Sequence, residues 1–234
     1  MSATSREIVQ ADFDRIARLV ADAPERADRY ESFLLGQLPV PCSSVLEIGC
    51  GAGRLARAMA GRAAAVVGID ASPEMVRLAR ERFPNAARIE FVCDDFSTRA
   101  MGSERYDFVV SVATLHHLPA APTLARMKGL LKPGGTLVIH DLRSASGRID
   151  WLLSGLAAVV NGDAVWWIRN RLRQGRALRD AWRDHGSRER YLTLAEVRTL
   201  CEVTLPGARI HWHPLWRYTV VWTRGEAAAS SPVP

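Results

Sequence analysis

Short apolar runs alternate with segments of helical apolar spacing from about residue 45 to residue 140, and this alternation is the dominant pattern of the chain. Runs rich in β-branched residues predict five strands, at 45–48, 65–69, 89–93, 106–112 and 136–140. The segments between them predict three helices, at 54–61, 73–83 and 122–131. Because alternating strands and helices form parallel sheets with crossover connections, the pattern predicts a doubly wound α/β fold.

Helical spacing precedes this region, and both strand and helix patterns return after it. Residues 4–36 predict two helices, the second of which begins at Pro24. Residues 193–203 predict a helix that begins with a capping box of Thr and Glu. Two alternating strands follow at 208–213 and 216–223, and the short connection between them predicts an antiparallel hairpin.

The segment 143–190 interrupts the alternation and predicts no strand. It holds four tryptophans and ten arginines against five acidic residues, so it carries most of the net charge of +6. We predict that it forms a helical lid. Apolar stretches flanked by arginine are also typical of helices that lie on a membrane surface. A membrane or partner surface therefore stays open as an alternative, whereas nucleic-acid binding is not expected.

The same pattern divides the chain into five parts. They are a helical cap (1–36), a core (37–142), the insertion (143–190), the last helix and hairpin of the core (191–224), and an Ala/Ser/Pro-rich tail predicted to be disordered (225–234).

Composition is that of an ordinary globular protein. The 234 residues are 48% apolar and 24% charged. No apolar run reaches the roughly 18 residues that a membrane-spanning helix requires. The first ten residues lack the features of a signal peptide, so a cytoplasmic location is predicted. The four cysteines form no C-x-x-C pair and have no histidines at zinc spacing, so we expect core residues and no metal site: Cys42, Cys50, Cys93 and Cys201.

A glycine-rich turn, Glu47-x-Gly49-x-Gly51-x-Gly53, follows the first strand and opens a helix. Glycines allow a sharp turn and a close backbone approach, and the helix N-terminus adds free N–H groups. Asp70 ends the second strand, where an acid can accept both hydroxyls of a ribose. Asp94 follows the third strand and can accept a hydrogen bond from an adenine amino group. Acids at three successive strand ends predict a nucleoside-containing cofactor.

Five segments resemble the class I S-adenosylmethionine (SAM)-dependent methyltransferases of the small-molecule type. They are VLEIGCGAGRLA (45–56), VVGIDASPEMVRLAR (66–80), IEFVCDDF (89–96), YDFVVSVATLHHL (106–118) and LKPGGTLVIHD (131–141). The resemblance implies a Rossmann-like, seven-stranded, mostly parallel sheet with an antiparallel last strand. It also implies that residues 132–135 form the turn before strand five.

The resemblance also assigns cofactor contacts. Glu47, Gly49 and Gly51 line the amino-acid end of SAM, Asp70 binds the ribose, Met75 packs on the adenine and Asp94 holds the adenine amine. The other expected cofactor contacts are Cys50, Gly53, Ala71, Asp95, Phe96, Ser111 and Ala113. Cys93 stands where the family commonly has glycine, and we expect it to tighten the packing near the adenine.

SAM carries its methyl group on a sulfonium, so the electrophile is already activated and a base is needed only when the acceptor holds a proton. Candidate bases follow strands four and five: His116, His117, His140 and Asp141. The Asn/Asp-Pro-Pro-Tyr motif of many amino-group methylating enzymes is absent after strand four. We expect the insertion, together with residues 4–36, to cover the methyl site and to contact the substrate through three tryptophans: Trp151, Trp166 and Trp167.

The sequence therefore predicts methyl transfer from SAM to a small organic acceptor, with O-methylation favoured. A SAM-binding regulatory protein without transfer activity is the alternative. A third possibility, an NAD-dependent oxidoreductase, is disfavoured by the G-x-G-x-G spacing and by Asp94.

Overall fold

A computed structural model describes residues 3–21, 29–145, 147–160, 165, 168–169, 171–172 and 174–225. Its centre is a seven-stranded sheet with the strand order β3-β2-β1-β4-β5-β7-β6. The strands are β1 (Ser44–Ile48), β2 (Ala65–Asp70), β3 (Ile89–Cys93), β4 (Tyr106–Val112), β5 (Leu131–Leu142), β6 (Arg209–His213) and β7 (Arg217–Thr223). The doubly wound α/β prediction is confirmed.

Helices cover both faces of the sheet. They are α1 (Ala3–Val20), α2 (Glu31–Leu35), α3 (Arg54–Met59), α4 (Pro73–Arg82), α5 (Ala120–Leu130), α6 (Arg148–Val160), α7 (Arg176–Gly186) and α8 (Leu194–Thr204). A single 3-10 turn, Leu115–His117, follows β4. The predicted capping box is present, since Thr193 and Glu196 exchange hydrogen bonds at the start of α8. The predicted start of the second helix, Pro24, lies outside the described residues.

The chain reverses its winding direction at β1, which pairs in parallel with both β2 and β4. This is the switch point at which open α/β sheets bind ligands. At the other edge, β7 lies between β5 and β6 and is antiparallel to both. The short hairpin connection forces this reversal, because antiparallel neighbours need only a tight turn. One strand of the sheet therefore runs against the rest, as the resemblance implies.

Two predictions are wrong, one about the start of β5 and one about Cys93 at the end of β3. Residues 132–135 are not a turn before the strand but a bulge inside it, because Tyr106 of β4 pairs with Leu131 and Phe108 pairs with Thr136. Gly134 accommodates the bulge with a φ of +77°. The prediction of four core cysteines also fails at Cys93, which is exposed. The other three cysteines are buried.

The sheet separates two apolar cores. Val45, Phe108 and Val138 point toward α2, α3 and α4, whereas Leu46, Val109 and Leu137 point toward α5 and α8. Alternation along each strand produces this division, because successive side chains point to opposite faces.

The N-terminal helix and the insertion lie over the carboxyl edge of the sheet. Helix α1 packs on α4 and on α7. Helix α6 keeps an apolar face in solvent, with the largest exposed side chains at Trp151, Leu152, Leu153, Leu156, Val159 and Val160. Across the described part of the chain, no helix has both the length and the apolar character to cross a bilayer.

Candidate active site

Three glycines of the turn after β1 adopt left-handed backbone conformations, with φ of +74° at Gly49, +51° at Gly51 and +80° at Gly53. A Cβ at Gly49 would overlap the side chain of Thr114, and one at Gly53 would lie 2.6 Å from Phe91 Cζ. These positions therefore need glycine both for the turn and for the close approach of neighbouring elements. The result is a narrow backbone cradle at the switch point.

Glu47 lies at the base of this cradle with its carboxylate buried, and its Oε2 has no hydrogen-bond partner among the described residues. Burial raises the pKa of Glu47 well above its ordinary value, a bond from the Ala56 backbone opposes this, and nearby Asp70 adds to it. The hydroxyl oxygen of Ser111, on the neighbouring strand, is likewise buried and without a partner. A buried acceptor without a donor is costly, so the ammonium group of SAM fits the position of Glu47.

Asp70 stands at the end of β2 with both oxygens held by backbone. Its Oδ2 accepts from the Gly51 N–H at 2.8 Å, and its Oδ1 accepts from the Ser72 N–H at 2.9 Å. Burial raises the pKa of Asp70, and these two hydrogen bonds oppose the rise. Each carboxylate oxygen keeps acceptor capacity for a ribose hydroxyl. Ala71 beside it is exposed.

The residues predicted to contact the adenine have different surroundings in the structure. Asp94 pairs with Arg99 at 2.7 Å, and Asp95 pairs with Arg6 of α1 at 2.9 Å. Met75 is buried beneath α1 and α7, where it packs with Ile16, Ala17 and Ala181. Phe96, in contrast, belongs to the apolar core on the α5 side, with the Arg126 guanidinium 4.9 Å above its ring.

His116 and Asp141 form the closest pair of candidate catalytic residues. The 3-10 turn after β4 places His116 Nδ1 2.6 Å from Asp141 Oδ1, and the His116 backbone N–H donates to Asp141 Oδ2 at 3.1 Å. Both side chains are almost fully buried. An imidazole held through Nδ1 by a carboxylate keeps its proton there and leaves the lone pair on Nε2 free. Ala113, just before the turn, has a φ of +49° and donates its N–H to the His140 carbonyl at 2.8 Å.

His117 lies beside His116 and contacts residues that the sequence analysis did not select. Its ring centroid is 5.5 Å from that of Phe13 in α1 and 5.1 Å from that of His185 in α7. Burial, followed by repulsion from His116 and His185, lowers the pKa of His117 to about 2. The imidazole is therefore neutral at physiological pH.

His140 does not join this group, although the sequence places it next to Asp141. Its Nδ1 lies 2.8 Å from Thr219 Oγ1, and its ring lies 4.5 Å from that of Tyr30. Consecutive residues of a strand face opposite sides of the sheet, so His140 points toward α2 while Asp141 points toward α5. Burial, then repulsion from Arg217 and His213, lowers the pKa of His140 well below its ordinary value.

The predicted substrate tryptophans receive little support. Trp151 of α6 is more than half exposed, and its ring lies 5.7 Å from that of Trp216 in the hairpin turn. Trp166 and Trp167 lie outside the described residues.

Sequence reasoning missed three residues that face the site: Asp12 and Phe13 of α1, and His185 of α7. His185 Nδ1 lies 3.1 Å from Asp12 Oδ2. No motif or spacing marks these residues, because they are far apart along the chain and meet only where α1 packs on α7. The helical cap and the insertion contained the only signal, since both were expected to cover the methyl site.

Comparison with known proteins agrees with this geometry. A family model described as a methyltransferase domain matches residues 45–135. An uncharacterized methyltransferase of Mycobacterium tuberculosis is 31% identical over 212 residues, which cover 86% of this chain and 98% of that protein. A ubiquinone biosynthesis O-methyltransferase of Xanthomonas campestris is 30% identical over 154 residues, which cover 59% of this chain and 64% of that protein.

Among solved structures, the magnesium protoporphyrin IX methyltransferase of Synechocystis with bound SAM has a TM-score of 0.60 at 16% identity. The match covers 96% of this chain and 99% of that one, so the fold is shared over nearly the whole length. The glycine cradle, the acids at the ends of β1 and β2, and the relative from Mycobacterium tuberculosis lead to one identification. This chain belongs to the class I SAM-dependent methyltransferases, and its cofactor is S-adenosylmethionine.

Proposed function

We propose that this methyltransferase transfers the methyl group of SAM to a hydroxyl oxygen of a small organic acceptor. The observation that carries the proposal is the buried pair of His116 and Asp141 at the ends of β4 and β5. A nitrogen or carbanion acceptor that already has a free lone pair needs no base. A phenolic hydroxyl, with a pKa near 10, must lose its proton, and a histidine–aspartate pair can supply the base. The ubiquinone O-methyltransferase among the relatives supports an oxygen acceptor.

Each group has a defined part in this reaction. SAM supplies an activated methyl group on a sulfonium. Glu47 binds its ammonium end, and Asp70 holds the ribose. The acceptor oxygen forms a bond to the methyl carbon, and the carbon–sulfur bond breaks with its electrons staying on sulfur. Asp141 keeps the proton of the His116 imidazole on Nδ1, and the Nε2 atom of His116 accepts the proton that the acceptor hydroxyl loses.

We propose that α1 and α7 form the cover of the acceptor site. Phe13 contacts the rings of His117, His185 and Trp182, so the two helices close over the histidines with aromatic side chains. Such a cover excludes water and selects a small, partly aromatic acceptor. We therefore propose α1 and α7 as the lid, in place of Trp151 of α6, which is exposed.

The experiment is incubation of the protein with methyl-labelled SAM and a fractionated metabolite extract. The proposal expects label in low-molecular-mass products as methyl ethers, with S-adenosylhomocysteine formed in equal amount. Tight SAM binding without any label transfer would instead support a regulatory SAM-binding protein. Label recovered as N-methyl or C-methyl products would refute the oxygen acceptor but not the methyl transfer itself.

A further proposal concerns α6, which begins at Arg148 and whose exposed apolar face runs from Trp151 to Val160. We propose that this face contacts an anionic membrane surface, since arginine-flanked apolar helices bind there. Flotation with anionic and with zwitterionic vesicles tests this. The proposal is supported if the wild type binds anionic vesicles and Leu152→Glu does not. It is refuted if the wild type and Leu152→Glu are both recovered in the unbound fraction. The predicted cytoplasmic location stays a prediction.

A further inference from the structure

Three imidazoles converge where the 3-10 turn after β4 meets α7. His116 and His117 come from the turn, and His185 comes from the last part of α7. One ring nitrogen of each lies within 4.8 Å of those of the other two. No spacing rule predicts this cluster, because 68 residues separate His117 from His185.

Each of the three imidazoles faces a carboxylate through its Nδ1 atom. The distances are 2.6 Å from His116 to Asp141, 3.2 Å from His117 to Glu189, and 3.1 Å from His185 to Asp12. For His116 and His185 the carboxylate holds the proton on Nδ1 and leaves the lone pair on Nε2, whereas Glu189 lies near His117 Nδ1 without a hydrogen bond. Metal-binding histidines are oriented in this way, with a carboxylate or carbonyl behind the ring.

His117 adds an independent observation. Its side chain is 7% exposed, and neither ring nitrogen has a hydrogen-bond partner among the described residues, since its contact with Glu189 lies outside hydrogen-bond geometry. Buried polar atoms of native proteins are nearly always satisfied. A ligand that accepts an electron pair from Nε2 would satisfy the free atom.

We propose that His116, His117 and His185 bind a divalent transition-metal ion of the zinc class through their Nε2 atoms. Three histidines with an open fourth position are the donor set of many catalytic zinc sites. Imidazole also favours zinc, copper, iron and nickel over magnesium and calcium, which prefer oxygen ligands.

Two consequences follow from the position of this ion. Because His185 belongs to α7 and the other ligands belong to the core, the ion ties the cover to the sheet. In a step that rests on the proposed function, the acceptor oxygen would occupy the fourth position. The ion would lower the pKa of the acceptor hydroxyl, so that its proton would pass to water while the acceptor enters and before the cover excludes water. His116 would then be a ligand of the ion and would not accept the proton itself; its direct role in proton loss applies to the protein without the ion.

The test is titration of chelator-treated full-length protein with Co²⁺, which gives visible d–d bands in a tetrahedral site, and with Zn²⁺ in calorimetry. We expect one ion per chain. His185→Gln should abolish the d–d bands, and Asp12→Asn, which keeps all three ligands, should weaken binding by about 10-fold to 100-fold. His211→Gln, which removes a histidine of the hairpin outside the cluster, should bind like the wild type. Circular dichroism checks that each variant is folded.

The outcomes separate the metal site from the proposed function. The metal site is overturned if the wild type binds no ion. It is also overturned if the wild type binds an ion and the folded variants His185→Gln and Asp12→Asn bind it equally well. If the wild type binds no ion and still methylates hydroxyl acceptors, the proposed function stands without the ion. If the ion binds as expected and no hydroxyl acceptor is methylated, the site stands and the oxygen acceptor is wrong.

Discussion

The Nδ1 atom of His116 lies 2.6 Å from Oδ1 of Asp141, so the ends of β4 and β5 are joined by a buried imidazole–carboxylate pair. The same carboxylate accepts the His116 backbone N–H, which fixes the turn as well as the ring. The two residues are 25 positions apart. They meet because β4, which leads into the turn that holds His116, pairs in parallel with β5, which holds Asp141. The proposed proton transfer rests on this pair.

Replacing Asp141 with Asn keeps the shape of the side chain and removes its charge. The His116 ring then loses its fixed tautomer, and we expect kcat to fall by about 10-fold to 100-fold while the Kd for SAM changes little. Steady-state kinetics and calorimetry with SAM measure the two quantities. Asp107→Asn is the control, because Asp107 lies at the amino end of β4 and pairs with Lys132. An equal fall of kcat in both variants would contradict a role for the pair.

Asp70→Ala should weaken SAM binding. The change removes the acceptor proposed for the ribose and also frees the Gly51 and Ser72 N–H groups, so we expect a loss of about 1–3 kcal/mol of binding free energy. Calorimetric titration with SAM or S-adenosylhomocysteine measures this. Glu81→Gln, on the outer surface of α4, should bind as the wild type does. Unchanged affinity in Asp70→Ala would show that the ribose lies elsewhere.

Gly49→Ala should destabilise the protein even without cofactor. The new methyl group would overlap Thr114, and the residue must hold a φ of +74°, so we expect a loss of about 1–3 kcal/mol in the free energy of unfolding. Gly129→Ala in α5 is the matched control, since no atom lies near its Cβ position. Alanine there should stabilise by about 0.5–1 kcal/mol, because it is the better helix former. Urea denaturation measures both, and a neutral Gly49→Ala would exclude the tight contact.

Stability should fall as the pH drops, partly because of His140. Burial holds the pKa of its imidazole well below the ordinary value, so the unfolded chain takes up a proton near pH 6.5 that the folded chain does not. The unfolded state therefore binds more protons, and between pH 7 and pH 5 this one group removes about 2 kcal/mol of stability. His140→Asn does not titrate and should show a pH dependence smaller by that amount, whereas His117 contributes equally in both proteins. Urea denaturation at pH 7 and pH 5 measures the free energy of unfolding of both proteins. An equal change between the two pH values in the wild type and in His140→Asn would contradict the prediction.

Local patterns were sufficient for the strands of the core. The bounds predicted for β3 and β4 are those observed, because apolar runs of this length form strands in any buried sheet. The start of β5 was missed for a physical reason. Pro133, Gly134 and Gly135 are typical turn residues, and only the pairing of Leu131 and Thr136 with β4 shows that they form a bulge within a longer strand.

The glycine turn, Glu47 and Asp70 could be predicted from the sequence alone, since the turn and the acids lie within a few residues of the strand ends. The close approaches of Thr114 and Phe91 to the turn depend on the tertiary structure. The sequence could not show which of His140 and Asp141 lies near His116. Alternation along a strand predicts that the two side chains face opposite sides of the sheet, but it does not predict which side holds the site. Nor could it bring His185 and Asp12 to His116 and His117. That meeting depends on the packing of α1 and α7 over the sheet, an arrangement set by apolar surfaces far apart in the chain and visible only in the tertiary structure.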